Sequence, residues 1–304
     1  MSGKLNSRKA WMLSIFTFIF VGGILIQLRG SFLPEFQETF RVTESLLGLV
    51  APAFTISLLG LVLILGMKMD KIDIKKFLLI GIAITGLFTF LLGISPSFVL
   101  LLGLFLGRGI GTGVFRSLDR PLLSHLFQEK RGWIFNVYTM AWAVGAALGP
   151  VLANLFLYWG SWRHAYLVIS LIFITLFILF WKLDLPRESV NEKSINLESM
   201  KNILRNPAVI GMALVLFLNG GIEGGFFTWL PYFSNRFFSR SLSNLALSGF
   251  LLTYIPGRYV YSKLSQRFDY MKIVFTNGIV ASFLILMAFY VVDGYLMLAF
   301  IFAC

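Results

Sequence analysis

Glu223 is the one acidic residue set deep inside an apolar run of this sequence. It stands in Asn219-Gly220-Gly221-Ile222-Glu223-Gly224-Gly225, with Trp229 and Tyr232 following. A carboxylate with little water around it is a group that can take up and give back a proton. Four glycines beside it weaken a helix and free backbone groups for other partners. Glu223 is therefore expected to be a proton-coupling or substrate-binding carboxylate in a broken helix, against the plainer role of a carboxylate bonded to neighbouring backbone or an Arg. Arg108 is its basic counterpart, near the middle of the apolar run 98–115. An Arg at the centre of a membrane helix costs roughly 2.5–3.5 kcal/mol on insertion scales, so such residues usually face a cavity or a partner. Lining a cavity and packing against carbonyls are the two readings.

Amides, aromatics and one further charge could contact a solute: Gln27 and Arg29, Asn136, Tyr138 and Trp142, and Asn219, Trp229 and Tyr232. Residues of these types also anchor helices at membrane interfaces. Gly145, Gly149 and Pro150 place small residues four apart, a pattern for close helix packing with a bend. Enzyme signatures are absent. The two histidines, His125 and His164, fall on opposite sides of the predicted topology, and neither metal-ligand spacing nor a phosphate-binding Gly-rich Lys-Ser/Thr loop occurs. No metal and no cofactor is expected.

The elements that must position these residues are apolar helices. The chain is 58% hydrophobic and 13% charged, with mean hydropathy +0.82. A soluble domain averages about a quarter charged residues, so this is an integral membrane protein. Runs long enough to span lie near 11–33, 45–67, 77–95, 97–117, 133–157, 164–182, 207–233, 243–263 and 272–292. A tenth begins at Tyr295 and reaches Cys304 after ten residues, about 15 Å of helix against a core of about 30 Å. The chain is thus expected to stop inside a span. The first run has no small-residue cleavage site and reads as a span rather than a leader.

Charge fixes the orientation. Twenty of the 26 basic residues fall on the side of the N-terminus, and Arg29, Arg41, Arg163, Arg236 and Arg240 fall opposite. The positive-inside rule then puts the N-terminus in the cytoplasm of a multi-pass cell-membrane protein. The net charge of +12 is a topology signal, and nucleic acid is not an expected partner. Residues 183–206 form the longest connection and divide a six-span bundle (1–182) from a partial second bundle (207–304) as a cytoplasmic linker. Within it Ile195, Met200, Ile203 and Leu204 would give a short surface helix one apolar face. Gly66-Met-Lys-Met-Asp70-Lys71 and Ser262-Lys-Leu-Ser-Gln266-Arg267 sit at matching span ends 196 residues apart. Repeated halves of this kind build many secondary transporters. The same offset carries Arg108 onto position 304.

These motifs resemble those of the major facilitator superfamily. Gly66, Asp70 and Lys71 match its cytoplasmic Gly-x-x-x-Asp-Arg/Lys turn, with Asp73 where a second Gly is usual. Arg108 and Gly111 match its Arg-x-x-Gly helix, Gly145, Gly149 and Pro150 its Gly-x-x-x-Gly-Pro helix, and Ser161-Trp162-Arg163 its Gly-Trp-Arg turn. The resemblance implies an all-α polytopic fold of two bundles, here with the first complete and the second incomplete. It also implies alternating access, with Gly66, Asp70, Lys71 and Arg267 at a conformational gate. The function expected is secondary transport of a small solute, proton-coupled symport through Glu223, with protons and membrane lipid as partners. A proton-driven drug or metabolite antiporter, or an inactive partial transporter acting as a scaffold, are the alternatives.

Overall fold

The computed structural model describes residues 2–68, 72–184, 205–264, 267–291 and 294–303. These form twelve α-helices and no strand. They are α1 (Ser2–Ser31), α2 (Leu33–Phe40), α3 (Glu44–Leu47), α4 (Val50–Gly66), α5 (Ile74–Gly93) and α6 (Phe98–Leu126). After a 3-10 turn at Gln128–Lys130 come α7 (Arg131–Tyr158), α8 (Trp162–Lys182), α9 (Pro207–Ser234), α10 (Arg240–Leu264), α11 (Tyr270–Tyr290) and α12 (Gly294–Ala303). Eight of the described helical segments are long and apolar enough to cross a membrane. The expected eighth span is the 25-residue helix α10, which is long enough but too polar in composition to count among them.

Helix starts are written locally. Asp73, Ser97, Ser161 and Asn206 are N-caps whose side chains accept from the backbone N–H groups of Lys76, Leu100, Arg163 and Ala208. Each satisfies a donor that the first turn leaves free. Pro207 follows Asn206 at the position where a missing N–H costs nothing.

Packing follows small residues and aromatics, because lipid tails give helices no hydrophobic reason to associate. α1 pairs with α7, α4 and α5 with α6, and α5 with α8. A Cβ at Gly111 would lie 2.5 Å from Thr85 N, and one at Gly113 2.7 Å from Leu58 O. A Cβ at Gly145 would lie 2.0 Å from Phe20 O, and one at Gly149 2.7 Å from the Gln27 Cβ. Rings fill the centre: Phe18 stacks on Phe115 with centroids 3.7 Å apart, and Trp11 meets Phe180 edge-on. The second set of helices docks through α10 on α7 and α9 on α1. A Cβ at Gly30 would lie 2.1 Å from Phe227 O.

Three expectations need correction. The glycine-rich seventh span is not broken: α9 is one helix of 28 residues through Gly220, Gly221, Gly224 and Gly225. In lipid a backbone group has no other partner than its own helix, so glycines are tolerated there. The fourth span does not stop near residue 117. α6 continues through Pro121 to Leu126, and Asp119 is fully buried within it rather than lying in a loop. Glu223 is thus not the only acid inside a membrane helix. The first span ends at Ser31 and is followed by the separate helix α2. Asp70, Lys71, Gln266 and residues 185–204 of the linker lie outside the described residues.

Candidate functional site

The polar bonds between α1–α8 and α9–α12 gather at one end of the seam, where α1 leads into α2. α2 carries Pro34 and Glu35 in its first turn and closes at Arg41, whose φ of 52° is left-handed and whose N–H bonds Gln37 O. Glu35 is 6% exposed. Arg240 Nη1 lies 3.0 Å from Glu35 Oε1, off the hydrogen-bonding direction. Its Nη2 donates to Glu38 Oε1 at 2.5 Å. Arg236 Nη2 donates to Glu44 Oε1 at 3.0 Å. Tyr232 Oη lies 2.8 Å from both Gln37 Oε1 and Glu44 Oε1, and its single proton serves one of them. Burial pushes the Glu35 carboxyl up to about 7 although Arg240 pulls it down. Further along, Asn244 Nδ2 donates to Asn154 Oδ1 at 2.8 Å, Asn154 Nδ2 to Ser241 O at 3.0 Å, and Ser248 Oγ to Ala147 O at 2.8 Å.

A second polar group lies inside the first bundle. Gln27 is fully buried between α1 and α7, and neither of its amide atoms has a protein partner. Arg29 and Arg108 are 6% and 2% exposed. Their guanidinium carbons lie 5.9 and 4.6 Å from the centroid of the same Phe54 ring. The hydrogen bond found for Arg29 is a long one, Nη1 to Ala51 O at 3.5 Å. Nε of both arginines and Oη of the buried Tyr166 have no protein partner. Among the described residues no carboxylate forms an ion pair with either arginine. Cation–π contacts contribute about 0.5–2 kcal/mol each, whereas a buried ion costs several kcal/mol. The ring alone leaves both cations under-compensated.

Glu223 is half-buried and accepts from Tyr254 Oη at 2.5 Å, a bond between α9 and α10. Trp142 is half-buried with its ring 6.0 Å from that of Phe227 across the seam. Trp229 packs edge-on against Tyr232, centroids 5.4 Å apart, beside an apolar groove of about 690 Å³ that also holds Ile222, Gly225, Phe226 and Phe289. Asn136 and Asn219 are exposed, away from these clusters. Gly66 is half-buried at the end of α4 with nothing within 4 Å of where a Cβ would stand, and Arg267 is exposed in a turn. Asp119, fully buried, accepts from Tyr138 Oη at 2.5 Å and from Arg120 N at 2.6 Å, with Arg116 Nε at 3.7 Å.

The structure therefore brings together Arg29 and Arg108 over Phe54 with Tyr166 nearby, turns Gln27 toward α7, and sets Glu223 apart on the second bundle. The seam charges Glu35, Glu38, Glu44, Arg236 and Arg240 were not among the sequence candidates. Their signal was available: three acids between spans one and two, and two arginines four apart between spans seven and eight, all on the same predicted side.

Comparison with known proteins follows the same lines. A sequence model described as Major Facilitator Superfamily matches residues 3–304. A TsgA homolog of Buchnera aphidicola subsp. Schizaphis graminum is 21% identical over 281 residues, covering 90% of this chain and 71% of that protein. Among solved structures, a bacterial homolog of the human lysosomal transporter Spinster, inward-facing and unoccupied, superposes with a TM-score of 0.80 at 15% identity. That match covers 97% of this chain and 71% of the other. The Escherichia coli fucose:proton symporter FucP gives 0.65 at 16% identity, covering 96% and 80%.

Proposed function

The chain belongs to the Major Facilitator Superfamily, and from that premise we propose that it is a proton-coupled secondary transporter moving a small solute by alternating access. The observation that carries this reading is the charged seam, where Arg240 meets Glu35 and Glu38 and Arg236 meets Glu44. Ion pairs that join two helix bundles at one end, and that are partly open to water, can hold that end shut and still separate. With the N-terminus cytoplasmic, as the basic residues argue, the closed end faces outward and the space between the bundles opens to the inside. Residues 1–182 and 207–304 are the two moving bodies and 183–206 links them in the cell membrane, surrounded by lipid.

Glu223 is the coupling carboxylate. Its support is its position: half out of water, on α9, held by a phenol of the neighbouring helix that can hydrogen-bond either protonation state. The fold neighbour named as a fucose:proton symporter supports the choice of ion. Gln27, Arg29, Arg108 and Trp142 are the substrate-facing group. Gly66, Asp70, Lys71 and Arg267 gate the other end. The test is accumulation of labelled solutes in proteoliposomes under an imposed pH gradient. Glu223→Gln should abolish the gradient-driven component and leave exchange of solute for solute intact. Gradient-driven uptake unchanged in that variant would end the proposal.

A further inference from the structure

We propose that Arg29 and Arg108 form an anion-binding site, so that the transported solute carries a carboxylate, phosphate or sulfonate group. This rests on the transporter reading above and narrows it to a substrate class. The two guanidiniums come from different helices, α1 and α6, and meet the same Phe54 ring from α4. The buried phenol of Tyr166 on α8 is close enough for its charge to be coupled to both. Three half-buried arginines have a partner in the protein. Arg240 has Glu35 and Glu38, Arg116 has Asp119, and Arg163 Nη1 donates to Ser95 O at 2.6 Å. Arg29 and Arg108 alone are nearly out of water with no carboxylate paired to them among the described residues.

Around them the buried polar atoms without a protein partner are of kinds that complete such a site: Tyr166 Oη and Nε of both arginines. Buried polar groups are normally bonded, so this concentration calls for a ligand. A guanidinium offers two parallel N–H donors matched to two oxygens of one acid group. The hydroxyls of a neutral solute would leave both positive charges uncompensated. The phenol is then free to read the rest of the molecule.

The test uses one carbon skeleton with and without an acid: glycerol, glycerate and glycerol 3-phosphate. The purified protein is heated with each at matched ionic strength, and the shift in unfolding temperature is read. A ligand that binds the folded state raises it. Glycerate and glycerol 3-phosphate should raise it and glycerol should not. Arg29→Gln and Arg108→Gln should each weaken the acid's apparent affinity by roughly tenfold or more. The exposed pair Lys130→Gln/Lys182→Gln should leave it unchanged, which separates the site from the basic surface. Arg29→Lys and Arg108→Lys keep the charge without the fork and should retain part of the shift, whether or not the Gln variants fold. Equal shifts from all three compounds, or a full shift surviving in the Arg29→Gln/Arg108→Gln double variant, overturn the proposal. An acid-specific shift without any flux would end the transporter reading and leave the anion site standing. Gradient-driven flux of a neutral solute, unaffected by the two Gln variants, would do the reverse.

Discussion

Arg240 of α10 reaches Glu35 of α2 at 3.0 Å, and the carboxylate it meets is almost completely out of water. The same guanidinium bonds Glu38, whose side chain is largely exposed. One cation thus ties a buried acid and a solvated acid of the first bundle to the second. If the seam opens and closes as proposed, the buried acid would make closure sensitive to protons and the solvated one would make it easy to undo.

The pH dependence has a definite sign. In the closed seam Glu35 is raised from 4.5 to about 7, by burial first. Opening returns it to water and to its ordinary value. The closed state therefore binds the proton more tightly, so its advantage is present below about 4.5 and is lost as pH rises through about 7. The other charges facing Glu35 are Arg240 from α10 and Glu38 on its own helix. Spin labels at the exposed positions Leu46 and Phe237, in a Cys304→Ser background, should report a larger closed fraction at pH 5 than at pH 8. Glu35→Gln should flatten that profile. A closed fraction that rises with pH, or an unchanged profile in Glu35→Gln, contradicts the assignment.

The two ion pairs should not cost the same to remove. Arg236 and Glu44 are both more than half exposed at their side chains, so Arg236→Ala should weaken closure by only about 0.2–1 kcal/mol. Arg240→Ala strips the partner from a side chain that is 7% exposed. It should open the seam further at pH 8 and move the pH midpoint upward, because an unpaired buried carboxylate holds its proton more firmly. The same spin-label distances measure both. Equal effects from the two substitutions would show that burial of Glu35 is irrelevant to the latch.

Close packing of α1 on α7 gives a prediction about stability. A Cβ at Gly145 would stand 2.0 Å from Phe20 O, a backbone atom that cannot rotate away. Gly145→Val should therefore lower stability by about 1–3 kcal/mol, in the range of overpacked cores. Gly66→Ala meets nothing within 4 Å and should be neutral in the same thermal-unfolding assay.

Most of the helices were legible in the sequence, and the contacts between them were not. Hydropathy places a span wherever lipid demands one, and Ser, Asp and Asn caps mark the starts of α5, α6, α8 and α9. It fails at Asp119, since a polar stretch with Pro121 reads as a loop although Tyr138 and Arg116 satisfy the buried acid from nearby. It fails in the opposite way at Gly220–Gly225, where glycine suggests a break that the membrane does not permit. Arg108, Arg29 and Gln27 stand out as polar residues in apolar runs, so burial was foreseeable for them. That Phe54 sits beneath both arginines was not, because nothing local to residues 29, 54 or 108 records which helices become neighbours. Arg240 and Glu38 lie 202 residues apart, and only the folded chain pairs them.

Asp119 and Tyr138 offer a measurement that separates a bonded pair from two independently packed side chains. Tyr138 Oη donates to Asp119 Oδ2 at 2.5 Å with the acid fully buried. The Tyr138 ring also lies under the guanidiniums of Arg116 and Arg120, at 5.6 and 5.3 Å. Tyr138→Phe keeps the ring and removes only the hydroxyl, leaving the carboxylate short of one donor. Hydrogen bonds to charged groups contribute about 1.5–3 kcal/mol in soluble proteins, whereas pairs measured within membranes average about 0.6 with a maximum near 1.7 kcal/mol. A fully buried acceptor belongs toward the upper end of the membrane range. The double-mutant cycle of Tyr138→Phe with Asp119→Asn should thus give a coupling of about 1–1.7 kcal/mol in thermal or denaturant unfolding. Tyr138→Leu, which also removes the ring from both arginines, should cost more than Tyr138→Phe. A coupling near zero would mean that Arg116 and the Arg120 N–H satisfy Asp119 by themselves, and that the packing of α6 on α7 at this point does not depend on the phenol.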